Sequence, residues 1–253
     1  MSTIQSTATP QKKKTGDSVA SAAESLKGKL KWTLPAMNEK GRANDFEEFV
    51  KRGKELGENS EINCWEAVLF SAIKADVLKP DVVRAAFRDN MAVDFSYNKQ
   101  IEDWLADPSA LTPYPGDTEP QPGDIITFFG MSHVALSLGG DRVMSLWNQP
   151  NDDHTFQETT IGELTRHVEE DEDLLIASLN TAIGTYAGDA DADTMYDAVN
   201  DFKDLRNDED STAEEVAEAK AYMLDTVGSA LGVQILSSPW ERLEQLAQQR
   251  KEY

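Results

Sequence analysis

Three apolar runs of six residues, Asp124–Phe129, His133–Leu138 and Arg142–Trp147, follow one another with little more than Gly130 and Gly139-Gly140-Asp141 between them. Runs so short, parted by glycines, are strands rather than helices, and the Gly-Gly-Asp step suits the positive φ of a tight turn. The segment therefore predicts a strand, a strand, a turn and a strand: an antiparallel sheet that the rest of the chain must cover. Just before it, Pro108, Pro113, Pro115, Pro120 and Pro122 mark 108–123 as an extended surface loop.

On either side the apolar spacing is mostly helical. Phe46, Phe49, Val50 and Leu56 suit an amphipathic helix within 44–56, and the apolar run from Cys64 predicts a helix to about Ala75. Lys79-Pro80-Asp81 opens a helix through Phe87, and Tyr97–Leu105 reads as a further short one. After the sheet, Ile161–Val168 is helical and Leu174–Leu179 reads as one more strand. Three helices follow, over Asp193–Leu205, Thr212–Leu231 and Pro239–Arg250. Ser238 would cap the last of these, with Pro239 at its first position and Glu241 three residues after the cap. Residues 1–35, rich in Ser, Thr, Ala and Lys, read as a flexible tail with a short helix near Ser18–Leu26. The expected organisation is α+β: a tail over 1–35, N-terminal helices and a central antiparallel sheet over 36–183, and an acidic helical region over 184–253.

The formal charge is −22, and it is unevenly placed. Residues 1–32 hold six lysines against Asp17 and Glu24, a net of +4 (6 − 2), which leaves −26 (−22 − 4) on the remainder. An acidic body repels phosphate backbones, so no nucleic-acid partner is expected. No stretch approaches the ~18 apolar residues of a membrane span, and the first residues lack the basic-then-apolar pattern of a secretory signal. The chain is expected to be made in a cytoplasm, with export by a route that cleaves no signal left open. A lone cysteine excludes an internal disulfide framework and a cysteine-rich zinc site. Asp189-Ala190-Asp191-Ala192-Asp193 begins like a calcium loop, but Thr194 and Asn200 stand where Gly and Glu are needed, so an acidic helix start is expected instead. His154 and His167 match no zinc spacing, and no metal or other cofactor is expected.

That one cysteine, Cys64, sits where the polar stretch Gly57–Asn63 gives way to the helical run Trp65–Ala72. The first turn of a helix offers free N–H groups and the positive end of the dipole, which favour a thiolate. Downstream, His133 opens a strand. A base within reach of the sulfur and a third group to fix the imidazole tautomer would complete a nucleophilic site. Asn148, fifteen residues beyond His133, is one candidate for that third group. Ser145, twelve beyond, is the alternative, and Gln149 and Asp152 are further candidates. For an oxyanion hole, the backbone N–H of Cys64 is the natural first donor, with the side-chain amides of Asn59 and Asn63 upstream of it as candidates for a second.

Cys64-Trp65 opening a helix, then Pro122-Gly123-Asp124-Ile125-Ile126-Thr127-Phe128 and Ser132-His133-Val134-Ala135-Leu136-Ser137-Leu138-Gly139, resembles the papain-like cysteine hydrolases, in particular the NlpC-type peptidases. The resemblance covers about 59–148. It implies that 36–183 is a papain-like catalytic domain, with Cys64 as nucleophile, His133 as base and then acid, and a thioester intermediate. It also implies a peptide, peptidoglycan or protein substrate. NlpC-type enzymes more often place the third group about twelve residues on, at Ser145; the wider papain-like pattern favours Asn148. The missing signal, the Ser/Thr/Lys tail and the added acidic helices suggest a bacterial effector or toxin, with an immunity protein or secretion chaperone as its partner. A Cys-His deamidase, transglutaminase or acyltransferase modifying a host protein shares the same pair. A binding module that kept the fold without catalysis is the alternative from another class. Trp147 is positioned to shield the pair from water, whereas Trp32, Trp104 and Trp240 read as packing residues.

Overall fold

The computed structural model describes residues 10–33, 44–88, 110–130, 133–148, 151–187, 189–228 and 231–251. The expected helix at Tyr97–Leu105, Trp104 and Gln149 lie outside these. Chain order begins with α1 (Pro10–Ser25), β1 (Lys31–Trp32), α2 (Asp45–Arg52), β2 (Glu61–Ile62), α3 (Cys64–Lys74) and α4 (Pro80–Arg88). The sheet strands β3 (Leu111–Pro113), β4 (Ile125–Phe128), β5 (His133–Gly139), β6 (Arg142–Leu146) and β7 (Phe156–Thr160) come next. They are followed by α5 (Ile161–Glu170), α6 (Glu172–Tyr186), α7 (Asp189–Asn207), α8 (Ala213–Met223), a π turn over Leu224–Gly228, β8 (Val233–Leu236) and α9 (Trp240–Lys251). This is a mixed helix-and-sheet chain with an antiparallel sheet, as the glycine-parted runs predict.

The sheet is antiparallel throughout, in the order β3-β8-β4-β5-β6-β7. Side-chain alternation sorts it into two faces. Ile125, Val134, Leu136, Leu138, Met144, Leu146, Phe156 and Leu236 join a core with residues of α1, α2, α3, α4 and α9. Ile126, Phe128, Ala135, Val143, Val233 and Ile235 join a second core with α5 to α8. The result is three layers, helices on both sides of a sheet whose central strands are buried on both faces.

Five expectations change. The run Leu174–Leu179 is not a strand: it lies in α6, where Leu175, Leu179, Ala182 and Ile183 recur at helical spacing and are buried, and Asp171 Oδ1 caps the helix by accepting from the Leu174 N–H at 3.1 Å. The stretch expected as an extended loop over 108–123 contains a strand, because Leu111–Pro113 pairs with Leu236–Gln234. Ser238 does not cap α9. It adopts φ +47°, its N–H donates to Asp124 Oδ1 at 2.9 Å, and the first helical bond runs from the Leu243 N–H to the Pro239 carbonyl.

The expected tail is also structured. Within it, α1 buries Val19, Ala20 and Ala23, followed by Leu26 and Leu30, and so belongs to the first core. Small residues disguised this stripe: Gly16 lets the helix cross the Pro122–Gly123 turn at a distance that any Cβ would forbid. After α1 the chain forms a strap, in which Lys31 and Trp32 pair in parallel with Glu61 and Ile62. On its other side, the Trp32 N–H donates to the His154 carbonyl and the Gly28 N–H to the Phe156 carbonyl.

The region 184–253, expected to be helical, supplies β8, which sits between β3 and β4. Strand β8 is four residues long, too short for its alternation to stand out against the flanking helices. The Trp240 Nε1–H then donates to the Gly123 carbonyl at 2.9 Å and tethers α9 to the turn before β4. Ending the chain at Leu231 should therefore abolish cooperative folding rather than trim an appendage, since β4 loses one of its two partners and the first core loses Trp240 and Leu243. Loss of the sigmoidal urea transition is the expected result; a shortened chain that melts like the full one would refute it.

Candidate active site

Cys64 is the first residue of α3, as its sequence context predicts. The helix starts here because Asn63 and Glu66 form a capping box. Asn63 Oδ1 accepts from the Glu66 N–H at 2.9 Å, and the Asn63 N–H donates to the Glu66 carboxylate at 2.8 Å. Asn44 extends this network. Its Oδ1 caps α2 by accepting from the Glu47 N–H, and its Nδ2 donates to Glu66 at 2.7 Å, so one side chain links the starts of two helices. Reading the sequence for catalytic residues passed over this network, although Asn63-x-x-Glu66 before an apolar run is a capping signature.

Capping commits Asn63. It is buried, and its backbone N–H and Oδ1 both serve Glu66, which holds the side chain at the helix start and leaves Nδ2 as its one side-chain donor. Asn59 is exposed in the turn before β2. The donors nearest the sulfur are instead backbone N–H groups, those of Val134, Trp65 and Cys64 itself. The N–H groups of Cys64 and Trp65 stand at the first two helical positions, which have no acceptor within the helix.

His133 opens β5. Its Nε2 lies 2.9 Å from Ser145 Oγ, with both side chains buried. The Trp147 ring stacks on the imidazole at 4.5 Å and 23°, and Phe128 packs on it at 5.7 Å. The register explains the arrangement: Ala135 pairs with Ser145 and Phe128 with His133, which puts His133, Ser145 and Trp147 on one face. Of the candidates for third group, the structure thus brings Ser145 to the imidazole and not Asn148. Asn148 is half-buried, and its Oδ1 is buried without a partner among the described residues. Asp152 sits in an exposed loop with φ +53° and faces His154 at 3.5 Å.

The thiol and the imidazole meet the same end of β5 from different sides. Cys64 belongs to the first core with Val134, whereas His133 shares the alternation of Ala135 and packs on Phe128 and Trp147 at the edge of the second. The sulfur reaches the N–H of the residue next to His133, and the imidazole spends its hydrogen bond on Ser145.

Burial governs the charge states. Cys64 is 8% exposed and His133 3%. Loss of solvent pushes the Cys64 thiol up to about 12, aided by the Glu66 charge and opposed by the three N–H groups. The same loss of solvent pushes His133 down to about 3. A helix start favours a thiolate, and that expectation is overridden here: desolvation outweighs the N–H groups, and both side chains rest neutral at pH 7. In the tautomer with Nε2–H donating to Ser145 Oγ, the Nδ1 lone pair is free to act as a base.

No family model, curated protein or solved structure matches this chain.

Proposed function

We propose that the chain is a cysteine hydrolase of papain-like, NlpC-like character that cleaves an amide bond through a thioester. The observation that carries this reading is the His133–Ser145 contact of 2.9 Å on the residue adjoining the one whose N–H meets the Cys64 sulfur. The thiol and the imidazole lie on different sides of β5, so on this reading the imidazole must swing round to the sulfur. Cys64 then attacks the carbonyl carbon as His133 Nδ1 takes its proton. The N–H groups of Cys64 and Trp65 receive the oxyanion, and His133 returns the proton to the departing amine. His133 then takes a proton from water, whose oxygen adds to the thioester carbon and expels Cys64 as the thiol. Ser145 holds Nε2 and thereby fixes the tautomer, and Trp147 keeps water from that bond. Peptide, peptidoglycan or a protein of a recipient cell is the proposed substrate, in keeping with an effector or toxin.

A second reading, a binding module without catalysis, is favoured by one specific observation: a buried, neutral thiol and an imidazole stacked among Phe128 and Trp147 are also what a packed core contains. Iodoacetamide separates the two. In the hydrolase, Cys64 is alkylated at pH 7–8 and His133→Ala slows the reaction at least tenfold, because the base is lost. In the binding module, alkylation is slow, climbs with pH toward 12 and ignores His133→Ala. Substrate class follows from expressing wild type and Cys64→Ala in the bacterial cytoplasm and periplasm. Lysis that needs both Cys64 and the periplasm points to peptidoglycan, and toxicity indifferent to Cys64→Ala sinks the mechanism.

A further inference from the structure

Asn148 was a candidate to orient His133, and Ser145 takes that place. What remains is a carboxamide oxygen, Asn148 Oδ1, buried and without a hydrogen-bond partner among the described residues. Well over nine in ten buried polar groups are paired, and an orphan acceptor weakens the fold that holds it. Its neighbours are committed elsewhere: Gln157 Nε2 donates to the Trp147 carbonyl at 3.2 Å and Gln157 Oε1 accepts from Asn151 at 2.7 Å.

The position of this orphan is informative. Extending the β5–β6 register by one step beyond Ala135–Ser145 sets Leu146 across from Val134, whose N–H meets the Cys64 sulfur. Strand β6 ends at Leu146, and the chain leaves the sheet at that corner through Trp147, which covers His133, and Asn148. The free acceptor therefore stands two residues from the point where β6 passes the sulfur.

We infer that Asn148 Oδ1 accepts a hydrogen bond from the N–H of a substrate amide group, so that the site takes N–H-bearing amides in preference to esters and N,N-dialkyl amides. This rests on the proposed thiol chemistry at Cys64 and names its substrate class. An unpaired acceptor at the corner where the sulfur lies selects a donor, and the peptide N–H is the donor that an amide substrate carries and an ester lacks. Asn148 is thus a substrate-contacting residue rather than the partner of His133.

Cys64 is the sole cysteine, so alkylation of the full chain can be read from intact mass alone. The probes are iodoacetamide and its N,N-dimethyl analogue, with glutathione setting the intrinsic ratio of their rates. Wild type should favour iodoacetamide about tenfold beyond glutathione, the worth of one hydrogen bond. Asn148→Leu, of similar size and without an acceptor, should fall to the glutathione ratio, while Asn148→Asp should keep the preference. Melting of Asn148→Leu should start no lower than wild type, because no bond is lost within the protein. Equal ratios in wild type and Asn148→Leu overturn this inference alone, as does a lowered melting point, which would mark a structural role. Failure of iodoacetamide to label native wild type overturns it together with the hydrolase reading.

Discussion

Lowering the pH from 6.5 toward 3 should cost the folded state about 5 kcal/mol through His133 alone. The unfolded chain takes up a proton at the ordinary histidine value of 6.5, whereas the native imidazole, stripped of water, resists protonation down to about 3. Between those values the unfolded state binds more protons, so stability is full above pH 6.5 and drains away as the pH falls. The side chains that face the ring, Ser145, Trp147 and Phe128, do not ionise in this range. Cys64 produces the mirror image. Its thiol holds a proton to about 12 in the native state against 9.0 in a model peptide, so stability is full below pH 9 and lost above it. Urea midpoints across pH should form a plateau with two falling arms. His133→Gln should flatten the acid arm and Cys64→Ala the alkaline one, each leaving the other intact. Asp124 and Glu169, both raised by burial, contribute with the opposite sign on the acid side, but equally in wild type and His133→Gln. An acid arm of equal slope in those two proteins would show that the imidazole is solvated.

Gly123→Ala should be among the most damaging single methyl groups that the chain can receive, at roughly 4 kcal/mol. Two costs combine. Gly123 has φ +84°, where an L-residue is strained, and a Cβ there would overlap the Cα and carbonyl of Gly16 in α1. Neither backbone can retreat. Trp240 holds the Gly123 carbonyl, and α1 is packed into the first core through Val19 and Ala23. Gly140 is the control: its φ is +62° and its Cβ would meet nothing within 4 Å. Gly140→Ala should cost only about 1 kcal/mol, the strain by itself. Gly16→Ala normally favours a helix, yet here its Cβ would strike the Pro122 carbonyl, so it should destabilise. Equal urea midpoints for Gly123→Ala and Gly140→Ala would mean that the close crossing is absent.

Much of the central sheet was legible because its punctuation was local. Gly130 and Gly139-Gly140 separate β4, β5 and β6 at the expected places, and Asn63 announces the helix that begins at Cys64. What was not legible depended on partners distant in the chain. Strand β8 has four residues, and only β3 and β4 on either side make it a strand. In α1, a stripe of alanines resembles a low-complexity tail until Gly16 meets Gly123. Leu174–Leu179 misled because a compact apolar run fits either period, and the burial of Ala182 and Ile183 decides for the helix. At the site, the spacing of twelve to Ser145 and fifteen to Asn148 could not be ranked without the register of β5 on β6. Nor could charge state be read: the helix start was visible in sequence, but the depth of Cys64 was not.

The turn at Gly123-Asp124 touches both ends of the chain, Gly16 on one side and Ser238 and Trp240 on the other. A ribosome emits these parts in order, and the strand that lies between β3 and β4 follows both of them in the chain, after four further helices. The sheet consequently cannot close when β4 to β7 emerge. Until Val233–Leu236 and Trp240 have followed, β4 presents an unpaired edge, and the first core lacks its closing helix. Closure must wait for contacts between segments far apart in the sequence, which makes folding slow.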